Sequence, residues 1–331
     1  MRRIGLVLGA GGLVGQAYHA GVLAALEHDL GWDPRTAEVV VGTSAGALTA
    51  TLVRVGVAAH DLSAWAVEAP LSRESESTLA KLSAQRRPEL PQVDVRDWLT
   101  GWRLPPRHAL GRLLRRPWAL RPGALASTMV PAGRVDLVGF VDAIDAVASD
   151  SRDEPPWVCA TRRDDGERVV FGREGAPDAS LTEAVAASCA IPGYFAPVDV
   201  AGVEYVDGGV RSSTNADVLA GEQLDAVIVV APMSAAGGQA SGVDRLMRRW
   251  AHRRLDREAR ALAKAGRTVV RIEPGEAARS AMGLNMMDQD RTDRVVQEAF
   301  IDTGRYTSKA GVAEALMPEA LAQPSTQRRV G

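Results

Sequence analysis

Apolar and polar positions follow two alternating periods over the first 55 residues. Ile4–Leu8 is a short unbroken apolar run, and the glycine-rich stretch Gly9–Gly15 follows it. Gln16–His28 then repeats apolar residues at helical spacing, Glu38–Val41 is again a short β-branched run, Gly42–Gly46 is a tight turn, and Ala47–Val55 is helical. Strand, turn and helix repeated twice in this order predict parallel strands joined by crossover helices.

The rhythm changes further on. Residues 56–135 lose the strand–helix alternation and become rich in Pro, Trp and Arg, which suggests an insertion or cap. Leu137–Ala148 regains a helical pattern. Trp157–Thr161 and Arg168–Phe171 flank Asp164-Asp165-Gly166, a favoured hairpin turn. Ser180 and Glu183 have capping-box spacing, so a helix starts there, and it must end before Pro192. A second hairpin, Val198–Val200 with Val203–Val206, delivers Asp207-Gly208-Gly209 at its end. Asp225–Ala231 and Thr268–Glu273 read as buried strands, separated by an arginine-rich helix near Val243–Ala265. The polar stretch 318–331 reads as a flexible tail.

Composition narrows the class. With 46% hydrophobic and 24% charged residues, the 331-residue chain can build an ordinary core and is not a disordered polymer. A net charge of −2 gives no global attraction to nucleic acid, and none is expected as a partner. Cys159 and Cys189 form no CxxC pair, which favours a reduced, cytoplasmic setting over a disulfide framework or a zinc site. The opening MRRIGLVLGAGGLVG imitates a signal peptide, yet its glycines fit a strand entering a turn. The uncharged stretches Val39–Val53 and Ala184–Val198 are too short and too rich in Gly or Pro to span a bilayer. Charge does concentrate locally. Between 86 and 121 nine arginines face three acids, a net of +6, together with Trp98, Trp102 and Trp118. Such a segment suits peripheral contact with anionic lipid, or a solvated cap whose tryptophans fill their own small core.

The candidate chemistry starts with Gly42-Thr43-Ser44-Ala45-Gly46, a GxSxG sequence between a strand and a helix. In that context the serine occupies a sharp turn, and glycines two before and two after it avoid collision with neighbouring backbone. Its hydroxyl would lie near a helix N-terminus, which favours developing negative charge. The turn Gly9-Ala10-Gly11-Gly12-Leu13-Val14-Gly15 admits three readings: a dinucleotide loop, an oxyanion hole built from the Gly11 and Gly12 peptide N–H groups, or a plain tight turn. The spacing departs from GxGxxG and the second strand ends in Gly42 rather than an acid, which weighs against a dinucleotide. For a base, chain order offers His252 if Asp207 is the acid of a triad, but His252 sits in a charged helical stretch. His19 falls inside the first helix and is expected to pack or cap locally. Asp207, at a strand end before two glycines, is free to approach another loop.

Taken together, four motifs in this order resemble the patatin-like phospholipase family of lipid acyl hydrolases. They are the 9–15 turn, Gly42–Gly46, Ala187-Ser188-Cys189-Ala190-Ile191-Pro192-Gly193-Tyr194-Phe195-Ala196-Pro197-Val198, and Asp207-Gly208-Gly209. The resemblance covers roughly residues 4–235 and implies an α/β fold, a three-layer α/β/α sandwich around a mainly parallel sheet. It implies one domain over 1–317, with 56–135 as a cap or insertion within it. It also implies a Ser44–Asp207 dyad without histidine and an oxyanion hole at Gly11 and Gly12, with Gly9, Gly15, Gly42, Gly46, Gly208 and Gly209 shaping the turns. The expected substrate is a lipid or other acyl ester, cleaved through an acyl-enzyme with no metal or cofactor. Family members commonly carry Arg or Lys just before the last glycine of the first turn; this chain has Val14.

Overall fold

The computed structural model describes residues 2–83, 133, 137, 143–148, 154–235 and 242–308. The Arg- and Trp-rich stretch 86–121 and the tail 318–331 lie outside the described residues, as does much of 56–135.

Eight strands make one sheet: β1 (Ile4–Leu8), β2 (Val39–Gly42), β3 (Trp157–Arg162), β4 (Arg168–Phe171), β5 (Val198–Val200), β6 (Val203–Asp207), β7 (Ala226–Val230) and β8 (Thr268–Ile272). Their order is β5-β6-β3-β2-β1-β7-β8, with β4 also on β3. The run β3-β2-β1-β7-β8 is parallel, and the two hairpins expected from turn chemistry, β3–β4 and β5–β6, are antiparallel.

The pairing of β3 decides where the site forms. Gly42 of β2 pairs with Val158, Asp207 of β6 pairs with Ala160, and β4 pairs with both Val158 and Ala160. A strand has two edges, so β2 and β6 meet end to end along the same edge of β3. Their C-terminal residues are therefore held two β3 residues apart, roughly 7 Å along the strand.

The described helices are α1 (Gly12–Leu30), α2 (Ala45–Arg54), α3 (Ala59–Ala66), α4 (Arg73–Ser83), α5 (Ala143–Ala148), α6 (Leu181–Cys189), α7 (Gly242–Lys264), α8 (Glu276–Met282) and α9 (Thr292–Thr307). Period-2 alternation assigns them to two faces of the sheet. Leu6, Leu8, Val40, Ile228 and Val270 pack with α1, α3, α8 and α9. Val158 and Ala160 pack under α6 and the hairpins, where Phe171 and Tyr205 meet edge to face at 5.2 Å. Val7, Val41, Cys159, Val227 and Val229 point the opposite way, toward Leu255 and Leu262 of α7. The result is a three-layer α/β/α sandwich. The capping box of α6 forms as the spacing predicts, Glu183 N–H donating to Ser180 Oγ at 3.1 Å and Ser180 N–H to Glu183 Oε2 at 2.8 Å.

The start of α1 differs most from the sequence expectation. α1 begins at Gly12 rather than Gln16 and runs two residues further, to Leu30, before Gly31 closes it with φ +64°. Glycine is a poor helix former, so composition alone argued for a later start. Burial overrides it: α1 is wrapped on most sides by α3, α9 and the sheet, and Val14, Ala17, Tyr18 and Leu23 are inaccessible to solvent or nearly so.

Candidate functional site

β1, β2 and β7 are parallel and in register, Leu8 opposite Gly42 and Val230, so the segments that follow them emerge along one edge of the sheet. After β2 the chain turns into α2 at Ser44, which has φ +54° and ψ −124°. A non-glycine residue held there carries strain of about 1–3 kcal/mol, tolerated where surrounding structure fixes it. The fixing contacts are visible. Ser44 N–H donates to Ser188 Oγ at 2.8 Å, and Ser188 Oγ donates to the Cys159 carbonyl at 2.7 Å, so α6 and β3 together clamp the elbow. A Cβ on Gly46 would strike the Leu8 carbonyl, and one on Gly42 would strike the backbone of Ala47. The flanking glycines thus do what the spacing predicted: they let α2 start against β1.

Asp207 arrives at the end of β6. Its N–H donates to the Ala190 carbonyl at 2.9 Å, and its Oδ1 accepts the Gly209 N–H at 2.6 Å. Its carboxyl group lies close enough to the Ser44 hydroxyl to be stabilised by it, so the two residues named from sequence are brought near each other. Burial pushes the carboxyl up to about 6, against the opposing pull of the Ser44 hydroxyl and the Gly209 N–H. Cys189 completes the surround: burial, with the nearby Asp207, pushes its thiol far up.

Across from Ser44 stands the N-terminus of α1. Gly12 has φ +61°, and a Cβ there would come within 2.5 Å of the Met286 carbonyl. That carbonyl accepts the Val14 N–H at 3.2 Å, and Gly15 N–H donates to Gly11 O at 2.9 Å. Among the described residues no acceptor takes the N–H groups of Gly11, Gly12 or Leu13, which leaves donors and a helix dipole beside the serine. Gly9 N–H donates to Val230 O and seats the turn on β7. Gly208 packs its backbone on the Cys159 carbonyl. Val14, in the first turn of α1, is buried in the core.

Neither histidine joins the pair. His19 is fully buried, its Nδ1 3.3 Å from Thr49 Oγ1, and burial holds its imidazole down to about 3. His252 lies on α7, its Nδ1 2.7 Å from Glu273 Oε2 and its Nε2 3.7 Å from Asp256. Among the described residues no group of three His, Cys, Asp or Glu is placed to hold a metal.

Sequence reasoning missed two supports. Asn215, at φ +54°, donates from Nδ2 to Thr43 Oγ1 at 3.1 Å and to Ser212 O at 2.8 Å, tying the loop after Asp207 to the residue before Ser44. Glu258 of α7 is buried, accepts from Ser212 Oγ at 2.6 Å, Thr214 Oγ1 at 2.5 Å and Ala216 N–H at 2.9 Å, and so anchors the same loop from below. The available signal was a polar intruder: Ala251, Leu255, Glu258 and Leu262 form one buried stripe of α7, with a carboxylate in an apolar position.

Ser44 opens into a cleft of about 670 Å³. Its apolar lining includes Leu13, Leu48, Leu62, Trp65, Phe195 and Met287. Glu68, Asp290 and Asp293 also line it, and no Lys or Arg does among the described residues.

The fold and site define an α/β protein with a serine at a strand-to-helix elbow and a buried strand-end aspartate beside it. Residues 6–220 match the family Patatin-like phospholipase, and the chain belongs to that family. Solved structures that resemble it include VipD from Legionella pneumophila, 15% identical with a TM-score of 0.44, covering 92% of this chain and 66% of that one. Another is the type III effector protein ExoU, 14% identical with a TM-score of 0.36, covering 93% and 54% respectively. The chain thus spans just under two thirds of the first and about half of the second. No curated protein sequence matches it.

Proposed function

We propose that the protein is a lipid acyl hydrolase working through a Ser44–Asp207 dyad. The observation that carries this reading is the buried Asp207 carboxyl group beside the Ser44 hydroxyl at the base of an apolar cleft, with the free Gly11 and Gly12 amides opposite. Ser44 Oγ attacks the acyl carbonyl as its proton passes to Asp207; the carbonyl oxygen gains charge and is held by the Gly11 and Gly12 N–H groups. Collapse breaks the ester C–O bond, and Asp207 returns the proton to the departing alcohol. Water then attacks the acyl-enzyme, giving its proton to Asp207, and Ser44 leaves reprotonated with release of the fatty acid. A carboxyl group raised to about 6 is a better base than an ordinary aspartate and is still ionised at pH 7.

The test combines a fluorophosphonate probe with p-nitrophenyl esters of short, medium and long acyl chains. Labelling at Ser44 and hydrolysis lost in Ser44→Ala are expected, with preference for the longer chains. His252→Ala should keep both, whereas a conventional triad would lose them. A folded protein with neither labelling nor hydrolysis would instead be a lipid-binding or scaffold member of the fold.

A further inference from the structure

The outer face of α7 is not used by the site. On it Leu246 is 70% exposed, Met247 51% and Trp250 48%, three of the five large apolar residues most open to solvent among the described residues. They are consecutive along one side of the helix and interleaved with Arg245, Arg249, Arg253 and Arg257, all exposed. None of these four arginines pairs with a carboxylate among the described residues. The acids of the helix are engaged elsewhere: Asp244 with Arg248, Asp256 with Arg271, and Glu258 beneath the 212–216 loop. The helix therefore shows solvent a surface of indole, thioether, leucine and guanidinium with no neutralising acid. That combination fits a bilayer interface, where indole settles at headgroup level and guanidinium meets phosphate.

Position adds to composition. On the opposite side of the same turns, buried Arg248 donates from Nη1 to the Pro232 carbonyl at 3.0 Å. Pro232 in turn packs against Gly11 and Gly15. The exposed patch is thus mounted on the edge of the sheet where Ser44 and the α1 N-terminus lie.

We propose that the N-terminal half of α7, through Leu246, Met247, Trp250, Arg249 and Arg253, docks the protein on anionic membrane surfaces. The contact differs from the one expected of residues 86–121. It concerns binding and does not require Ser44 to act.

The experiment uses the full chain carrying Ser44→Ala, mixed with vesicles of phosphatidylcholine alone or with about 30% phosphatidylglycerol. Sedimentation should show binding to the anionic vesicles that weakens with salt. Arg249→Gln with Arg253→Gln should weaken it by about thirtyfold, each cation contributing roughly fivefold. Leu246→Ser, Met247→Ser and Trp250→Ser together should weaken it at least as much. Acyl chains brominated near the headgroup should quench tryptophan emission, and Trp250→Phe should lessen that quenching. Equal binding to both vesicle types, or anionic binding unchanged in either multiple variant, would overturn the proposal. So would a concentration-dependent dimer that the serine variant dissociates while vesicles go unbound, because a second copy would then be what covers the patch. Hydrolysis of a soluble short ester by the same variants in the Ser44 background reports separately on the dyad. It should be unchanged by the α7 substitutions.

Discussion

Asp207 is the residue on which stability and proposed function pull in opposite directions. Its carboxyl group is raised from 3.8 to about 6 by burial, so ionising it costs the folded state what it does not cost the unfolded chain. The sign follows directly. Below pH 3.8 both states are protonated and nothing is lost; as pH rises through about 6 the cost grows to its full value, of order 3 kcal/mol. Asp207→Asn should therefore abolish hydrolysis yet raise the melting temperature at pH 8, with little change near pH 4. For the wild type, kcat/KM should climb with unit slope to a plateau above about pH 6, and a profile flat from pH 4.5 to 8 would remove Asp207 as the base. Gly12→Ala tests the facing donors: its Cβ meets the Met286 carbonyl, so the α1 N-terminus must shift and turnover should fall by about 10²-fold or more. Ser44 and Asp207 were legible because each lies beside glycines whose spacing has one steric meaning. Ser188 was legible only as part of the 187–198 motif; its bond to Ser44 was not, since it spans 144 positions.

At the level of elements, the loop after β6 hangs between two supports, Asn215 on the Ser44 strand side and Glu258 on α7. Burial raises the Glu258 carboxyl, while the Ser212, Thr214 and Ala216 hydrogen bonds pull it back. Removing it strands two hydroxyls and an amide in a buried site. Glu258→Leu should destabilise the fold by about 3 kcal/mol or more and reduce kcat through a misplaced Asp207. Glu258→Gln, which keeps an acceptor oxygen, should recover much of both; equal loss in the two variants would mean that the loop needs both carboxylate oxygens as acceptors. Denaturant midpoints and initial rates measured on one preparation separate these outcomes. Strands, hairpins and the α6 cap were readable because period-2 burial and turn chemistry act over a few residues. The start of α1 and the anchoring carboxylate of α7 were not, because each is decided by what packs on it from distant parts of the chain.

Across the whole molecule, charge is partitioned. The exposed Arg245, Arg249, Arg253 and Arg257 of α7 face outward at one side of the edge that carries Ser44, while Glu68, Asp290 and Asp293 line the cleft with no basic residue among its described walls. Such a cleft favours neutral or zwitterionic head groups over anionic ones by simple electrostatics. Glu68→Lys with Asp293→Lys should raise the ratio of phosphatidylglycerol to phosphatidylcholine hydrolysis in mixed micelles by about fivefold or more. An unchanged ratio would place the head group outside this rim.

The end-to-end meeting of β2 and β6 on one edge of β3 has a kinetic consequence. Ser44 and Asp207 come from chain positions far apart, and neither hairpin nor crossover alone brings them together. Closing so long a loop costs entropy that only a finished sheet repays. On refolding from denaturant, helical signal should return well before esterase turnover, so that activity marks the last docking event in the assembly of the chain.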